Sequence, residues 1–292
     1  MSENNVNSPS LSNGRKTKVG VVGVGVVGGA AYKYFRTVSD IDVVGYDKYR
    51  EGLNSEAQFD MLFGCDVLFL CLPTLYNDEL KQYDKSAIHE VCGKLNERRY
   101  EGVVVIKSTV EPGTTEMLSK LYDTLHIFHN PEFLTARTCY EDFANQSHVV
   151  IGRPSKSNDR KFKLLESFLK KCWPSAQYSY GSCTETEGMK IFCNSFYAMK
   201  VSVFNEFYFL CEKQNMDYNH VLGMMLKNGW INEMHTKVPG PDGKFGYAGV
   251  CLPKDSSALY HHMRREGVPH RMLKASVKEN NEIRNPFNET KK

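Results

Sequence analysis

KVGVVGVGVVG, from Lys18 to Gly28, runs a β-branched strand candidate straight into a glycine cluster. Within it, Gly23-Val24-Gly25-Val26-Val27-Gly28 has the form G-x-G-x-x-G, and a helical stretch from Val26 to Phe35 follows. That order, strand then glycines then helix, is the context in which the motif is informative. Gly23 permits a tight turn and Gly25 lets a pyrophosphate approach the backbone. Gly28 lets helix and strand pack closely, and the phosphates then fall at the helix N-terminus, beside Val26 and Val27. Asp47 stands 19 positions after Gly28, at the end of a second strand candidate, Ile41 to Tyr46. A carboxylate there accepts from the adenosine ribose hydroxyls and repels a 2′-phosphate, which favours NAD over NADP. Lys48 and Arg50, close by, act against that preference. The bland alternative is a glycine-rich turn in an α/β fold that binds no nucleotide.

Further along, VLFLCL (67–72) and VVVI (103–106) are continuous apolar runs, and His126–His129 and His148–Ile151 are weaker strand candidates. Apolar strands separated by helical segments predict a doubly wound parallel sheet, covered on both faces. The second half changes character. Thr186 to Asn215 has no proline, and its apolar residues recur at three- and four-residue steps, as in one long helix of about 45 Å. Its apolar surface is broad, which suits a helical subdomain or a dimer contact. Helices are also expected over Asp217–Lys227, Lys254–Arg265 and Arg271–Arg284, with a Gly- and Pro-rich loop from Lys237 to Cys251. The expected organisation is a disordered tail (1–17), a Rossmann-like α/β domain (18–183), an all-helical domain with one long central helix (184–285) and a tail (286–292).

The chain has 292 residues, 41% apolar and 24% charged, which excludes a wholly disordered protein. Its net charge of +3 gives no support to a nucleic-acid role. The nine cysteines are odd in number, irregular in spacing and lack a C-x-x-C pair. This argues against a zinc site and a disulfide framework, and for reduced thiols in the cytoplasm. No metal site is expected. The longest weakly polar run, Val19 to Ala31, is 13 residues with five glycines. A membrane span needs about 20 apolar residues, so no membrane role is expected.

Several residues carry possible chemistry. Lys190 and Asn194 are four apart on the long helix and share a face, where an ammonium and a carboxamide stabilise an oxyanion. A solvated surface pair is the plainer account. In Cys251-Leu252-Pro253-Lys254-Asp255, a cysteine after a glycine-rich loop and before a helix is a candidate nucleophile. Lys254 adds positive charge and Asp255 is a possible general base. A buried thiol beside a helix cap is the alternative. Glu132, after a short strand, could position water or act as a base, or be an ordinary surface acid. Ser108 and Thr109, at the end of the fourth strand, could meet a ligand or simply form a turn.

Six segments in order carry a resemblance: VGVVGVGVVG (19–28), CLPT (71–74), IKSTVEPGTT (106–115), HNPEFL (129–134), KIFCNSFYAMKVSVFNE (190–206) and FGYAGVCLPKD (245–255). Together they resemble the UDP-glucose/GDP-mannose dehydrogenase family, and the last looks closest to the UDP-glucose branch. The resemblance implies NAD as cofactor and oxidation of a nucleotide sugar to a uronate. Cys251 would trap the intermediate aldehyde as a thiohemiacetal, which is oxidised to a thioester and hydrolysed. Lys190 and Asn194 would hold the C6 oxygen, Asp255 would move protons through a water, Glu132 would assist hydrolysis, and Thr109 would lie near the reacting carbon and the nicotinamide. Pro73, Thr74 and Ser108 would join the cofactor site. Phe133, Leu134, Tyr247, Gly249 and Lys254 would contact substrate. A homodimer through the long helix is also implied.

Set against the resemblance, the C-terminal domain that grips the nucleotide is expected to be missing, and Ala136, Arg137 and Ala248 depart from the family's motifs. Two other readings follow. One is a two-electron dehydrogenase of the β-hydroxyacid type, which would not need Cys251. The other is an impaired NAD-binding relative that requires a separate C-terminal partner.

Overall fold

A computed structural model of the chain describes residues 15–135 and 137–284. In chain order the elements are β1 (Thr17–Val22), α1 (Val26–Phe35), β2 (Ile41–Tyr46), α2 (Glu56–Asp60), β3 (Val67–Leu70), β4 (Tyr76–Asn77), β5 (Gln82–Tyr83), α3 (Ser86–Glu97), β6 (Val103–Ile106) and α4 (Thr114–Leu121). Then come β7 (His126–His129), α5 (Cys139–Ala144), β8 (His148–Arg153), α6 (Asp159–Cys172), β9 (Gln177–Ser182), α7 (Cys183–Lys213), α8 (Tyr218–Lys227), α9 (Leu252–Arg265) and α10 (Arg271–Arg284). The chain divides into two compact units, one of 15–73, 85–108 and 112–187, the other of 74–84, 109–111 and 188–284.

The first unit is a seven-stranded sheet in the order β2-β1-β3-β6-β7-β8-β9. All neighbours are parallel except β7 and β8, which meet antiparallel at His129 and Gly152. The doubly wound sheet expected from the apolar runs is present, with one antiparallel junction that the runs did not reveal. β3 and β6 are buried at every position, as central strands covered on both faces require. On one face, Phe35, Phe69, Phe143, Phe168 and Trp173 pack together, and Trp173 Nε1 donates to the Phe143 carbonyl at 2.9 Å. β9 was not foreseen: QYSYGS is a mostly exposed edge strand without an apolar run. Strand order reverses between β1 and β3, which opens a crevice at their carboxyl ends.

Glu187, at the start of α7, ties that helix to α4. Its Oε2 accepts from Gly113 N and its Oε1 from Thr115 N, each at 2.7 Å. Gly113 is the N-cap of α4, adopts φ +93 and supplies no capping side chain, so Glu187 serves as a cap from far along the sequence. Burial pushes the Glu187 carboxyl up to about 7, against the lowering effect of these hydrogen bonds. Between the ordinary glutamate range and about 7, the folded state therefore binds a proton that the unfolded chain has released. The stability from this group is complete at low pH and is lost as pH rises through about 7. Thermal unfolding of the wild type is expected to lose about 3 kcal/mol of stability across that window. Glu187→Gln should be less stable but give a flatter pH profile, and parallel profiles would refute the assignment.

The second unit holds α8, α9, α10 and the larger part of α7. It is not all-helical. The antiparallel hairpin β4–β5 and residues 109–111, all from the first half of the chain, belong to it. Tyr83 of that hairpin packs with Ile191, Ala258, Leu259 and Leu273. The expected boundary at 183/184 falls four residues before the observed one, because the first turn of α7 still packs with the sheet unit.

The expected tail to residue 17 is shorter than read. Thr17 opens β1, and Arg15 pairs with Asp66 at 3.0 Å. The expected tails within 1–14 and 285–292 lie outside the described residues, as does Ala136. Among the described residues no helix is long and apolar enough to cross a membrane.

Candidate active site

In the first unit, the glycine cluster sits at the crevice between β1 and β3. Gly23 has φ +84, and a Cβ there would lie 2.6 Å from the Cys71 carbonyl. A Cβ on Gly28 would lie 1.8 Å from the Gly23 carbonyl. Around Gly25 no heavy atom lies within 4 Å of a Cβ position, so the backbone here is open to a ligand. Gly25 is the N-cap of α1, which has no side-chain cap and no acid in its first turn. These bare N–H groups, with the open cradle over Gly25, suit a pyrophosphate, and the site fits NAD on that ground. Val26 is exposed and Val27 half-buried in that first turn.

Asp47 accepts the Val24 N–H at 2.7 Å and the Tyr49 N–H at 2.9 Å, which fixes the carboxylate beside the glycine turn. Lys48 is engaged by Glu90 at 2.9 Å, and Arg50 donates to the Val24 carbonyl at 3.1 Å. Both cations therefore have partners other than a 2′-phosphate, which answers their apparent conflict with Asp47. Ser108 Oγ donates to the Leu72 carbonyl at 2.6 Å, and Pro73 is exposed. Glu132 is buried, and its Oε2 accepts the Leu134 N–H at 2.7 Å. Beneath it in sequence, the buried Lys107 donates to Asn130 Oδ1 at 2.8 Å, and Asn130 Nδ2 donates to the Val150 carbonyl at 2.7 Å. Phe133 stacks on His148, with centroids 5.9 Å apart.

The second unit assembles the other group. Cys251 is exposed at the N-cap of α9, and Pro253 occupies the first turn, where its missing N–H costs nothing. One turn on, the Asp255 carboxylate is fully buried. Its Oδ2 accepts from Asn194 Nδ2 at 2.6 Å. Its Oδ1 accepts from Lys254 Nζ and from Tyr83 Oη, each at 2.5 Å. A buried carboxylate survives because these donors replace the water it has lost. Lys254 Nζ also lies 4.7 Å from the Tyr83 ring centroid. Lys190 is buried one turn before Asn194 on α7, which removes the account of a solvated surface pair. Thr74 Oγ1 donates to the Thr109 carbonyl at 2.7 Å, and both threonines are buried.

The loop before Cys251 is held by two asparagines. Asn205 Oδ1 accepts the Gly246 N–H at 2.9 Å. Asn280 Oδ1 accepts the Tyr247 N–H at 2.7 Å, and Asn280 Nδ2 donates to the Tyr247 carbonyl at 3.1 Å. Gly246 has φ +71, and a Cβ there would meet Asn280 Oδ1 at 2.5 Å. Tyr247 is buried, with its hydroxyl 3.4 Å from Ser256 Oγ, so its side chain supports the loop from inside. Gly249 is exposed with φ +83. The sequence reading did not single out Tyr83, Asn205 or Asn280. Asn205 and Asn280 sit among apolar helical positions, which is the one signal that could have marked them.

Residues 49–170 match the NAD binding domain of the UDP-glucose/GDP-mannose dehydrogenase family, and residues 184–282 match its central domain. The UDP-glucose 6-dehydrogenase of Campylobacter jejuni is 28% identical over 225 residues, covering 77% of this chain and 55% of that protein. The GDP-mannose 6-dehydrogenase of Pseudomonas aeruginosa is 27% identical over 237 residues, covering 76% and 52%. The chain thus spans about half the length of the curated relatives it matches. Among solved structures, a UDP-glucose dehydrogenase from Pyrobaculum islandicum superposes with a TM-score of 0.78 at 23% identity, over 91% of this chain and 68% of that one. The 3-hydroxyisobutyrate dehydrogenase of Mycobacterium tuberculosis shares the fold with a TM-score of 0.71 at 14% identity, over 90% and 92%.

Proposed function

This chain belongs to the UDP-glucose/GDP-mannose dehydrogenase family, and on that footing we propose that it oxidises the C6 alcohol of a nucleotide sugar, UDP-glucose first, to the carboxylate. The observation that carries this reading is the buried Asp255 carboxylate, bound by Asn194 and Lys254 one turn after an exposed Cys251. NAD, when bound, takes up a hydride in each of two oxidations. Lys190 and Asn194 hold the C6 oxygen as charge develops on it. Asp255 receives the alcohol proton through a water. The Cys251 sulfur adds to the aldehyde carbon, its proton passes to the carbonyl oxygen, and the thiohemiacetal forms. A second hydride leaves the carbon, the hydroxyl proton passes through water to Asp255 once that carboxylate has released the first proton to solvent, and the thioester remains. Water then cleaves the C–S bond, returning the thiol and releasing the acid, with Glu132 assisting. In this reading Thr109 lies near the reacting carbon and the nicotinamide, and Lys254 contacts the substrate or stabilises the thiolate, as the family resemblance implies.

Two further parts of the reading concern assembly and location. Phe192, Phe196, Val203, Phe207 and Leu210 are exposed along α7, and part of that stripe lines an apolar groove of about 730 Å³ with Trp230 and Met272. A second copy of the chain is the occupant in this reading, and a monomeric mass at micromolar concentration would count against it. Nine cysteines with no disulfide among the described residues support a reducing, cytosol-like compartment.

The test is NADH formation at 340 nm with UDP-glucose, counted against sugar consumed. The expected ratio is two. A ratio of one would overturn the thioester route and favour a simple two-electron oxidation. NAD binding without turnover would point to a partner polypeptide that completes the enzyme.

A further inference from the structure

The hairpin β4–β5 interrupts the sheet unit between β3 and α3, and the reaction outlined above gives it no part. It lies along α9 and touches that helix in three places. Arg265 Nη1, near the end of α9, donates to the Lys81 carbonyl at 2.8 Å. The Tyr76 ring stacks on His261, with centroids 6.1 Å apart. At the start of α9, Tyr83 Oη reaches Asp255 Oδ1. The Tyr83 backbone is fixed in turn, because its N–H donates to Glu111 Oε1 at 2.8 Å. Tyr83 is itself buried among apolar side chains of α7, α9 and α10.

We propose that Tyr83 is a positioning residue for Asp255, holding its carboxylate in the orientation and ionisation that proton uptake during oxidation requires. The proposal rests on the reading of Asp255 as the group that receives the proton. Burial and the neighbouring Asp255 carboxylate push the Tyr83 phenol well above its ordinary range, so it stays protonated and can only donate. Three groups face the carboxylate: Tyr83 from β5, Asn194 from α7 and Lys254 from α9. Tyr83 is faced by Asp255, Glu111 and Cys251. Loss of one donor to a buried carboxylate disfavours its charged form.

Tyr83→Phe removes the hydroxyl and keeps both the ring packing and the backbone N–H to Glu111. The acidic limb of the kcat/KM profile is expected to move to higher pH, the direction in which a lost donor moves a buried carboxylate. KM for NAD should not change. Tyr76→Phe is the control. That hydroxyl has no hydrogen-bond partner, so its removal disturbs the same hairpin without touching Asp255. An unmoved limb in Tyr83→Phe, or an equal shift in Tyr76→Phe, overturns the proposal. If the wild-type chain binds NAD without turnover, the reaction needs a partner polypeptide, and carbon NMR titration of labelled aspartates reads the Asp255 carboxyl directly. A carboxyl titration displaced in Tyr83→Phe and not in Tyr76→Phe supports the role, and the same titration in all three proteins refutes it.

Discussion

Cys251→Ser is expected to lower formation of the acid from UDP-glucose by about 10³-fold or more, while NAD binding and thermal stability stay near wild type. Cys251 is exposed at the end of a loop and at a helix N-cap without a side-chain cap bond, so a serine oxygen replaces sulfur there at little structural cost. What changes is the chemistry. The first oxidation, alcohol to aldehyde, needs no covalent bond to the protein. The second needs an adduct that can lose a hydride and then be cleaved by water, and a serine hydroxyl is a far weaker nucleophile than a thiolate. The NADH released should therefore fall to one per sugar or fewer. Simultaneous assay of NADH and uronate measures both halves. An unchanged rate to the acid would sink the thioester route, whatever the fold of the chain.

The glycine cluster gives the second large effect, and two neighbouring substitutions should fail in different ways. Gly28→Ala places a Cβ 1.8 Å from the Gly23 carbonyl, backbone against backbone, where nothing flexible can yield. The expected cost is about 3 kcal/mol or more, a fall in Tm of roughly 6–12 °C. Gly25→Ala meets no atom within 4 Å and so escapes the backbone clash of Gly28→Ala, although its φ −81, ψ −143 lies at the margin of the extended region. Its stability should fall far less than that of Gly28→Ala. Its methyl group stands instead in the open cradle where a pyrophosphate would approach the α1 N-terminus, so NAD affinity should drop at least about tenfold. Calorimetry of unfolding and of NAD binding on both variants separates the two roles. Gly25→Ala binding NAD as the wild type does would remove the cradle assignment.

The strands that could be read from the sequence are those whose environment is uniform. β3 and β6 are covered on both faces, so every residue is apolar and the run stands out. β9 lies at an edge, with polar and exposed positions interleaved, and left no such mark. The antiparallel junction between β7 and β8 also left none, because strand direction is set by where the chain returns after α5 and not by the composition of either strand. α7, 31 residues long, was visible over most of its length because apolar steps recur from Met189 to Phe207 and no proline interrupts it.

By itself the sequence determined the nucleotide loop, the order of the main strands and the motif residues Lys190, Asn194, Cys251, Lys254 and Asp255. Each is a local statement, made by residues a few positions apart, where steric limits and helical or strand period act directly. Only the tertiary structure decided which distant residues complete them. Asp255 receives a phenol from Tyr83, 172 positions away, and Glu187 caps a helix that begins 73 residues earlier. It also decided that a hairpin from the first half of the chain belongs to the second unit. Such contacts follow from the need to satisfy buried polar groups, and a buried carboxylate takes its donors from whichever segment the fold brings within about 3 Å.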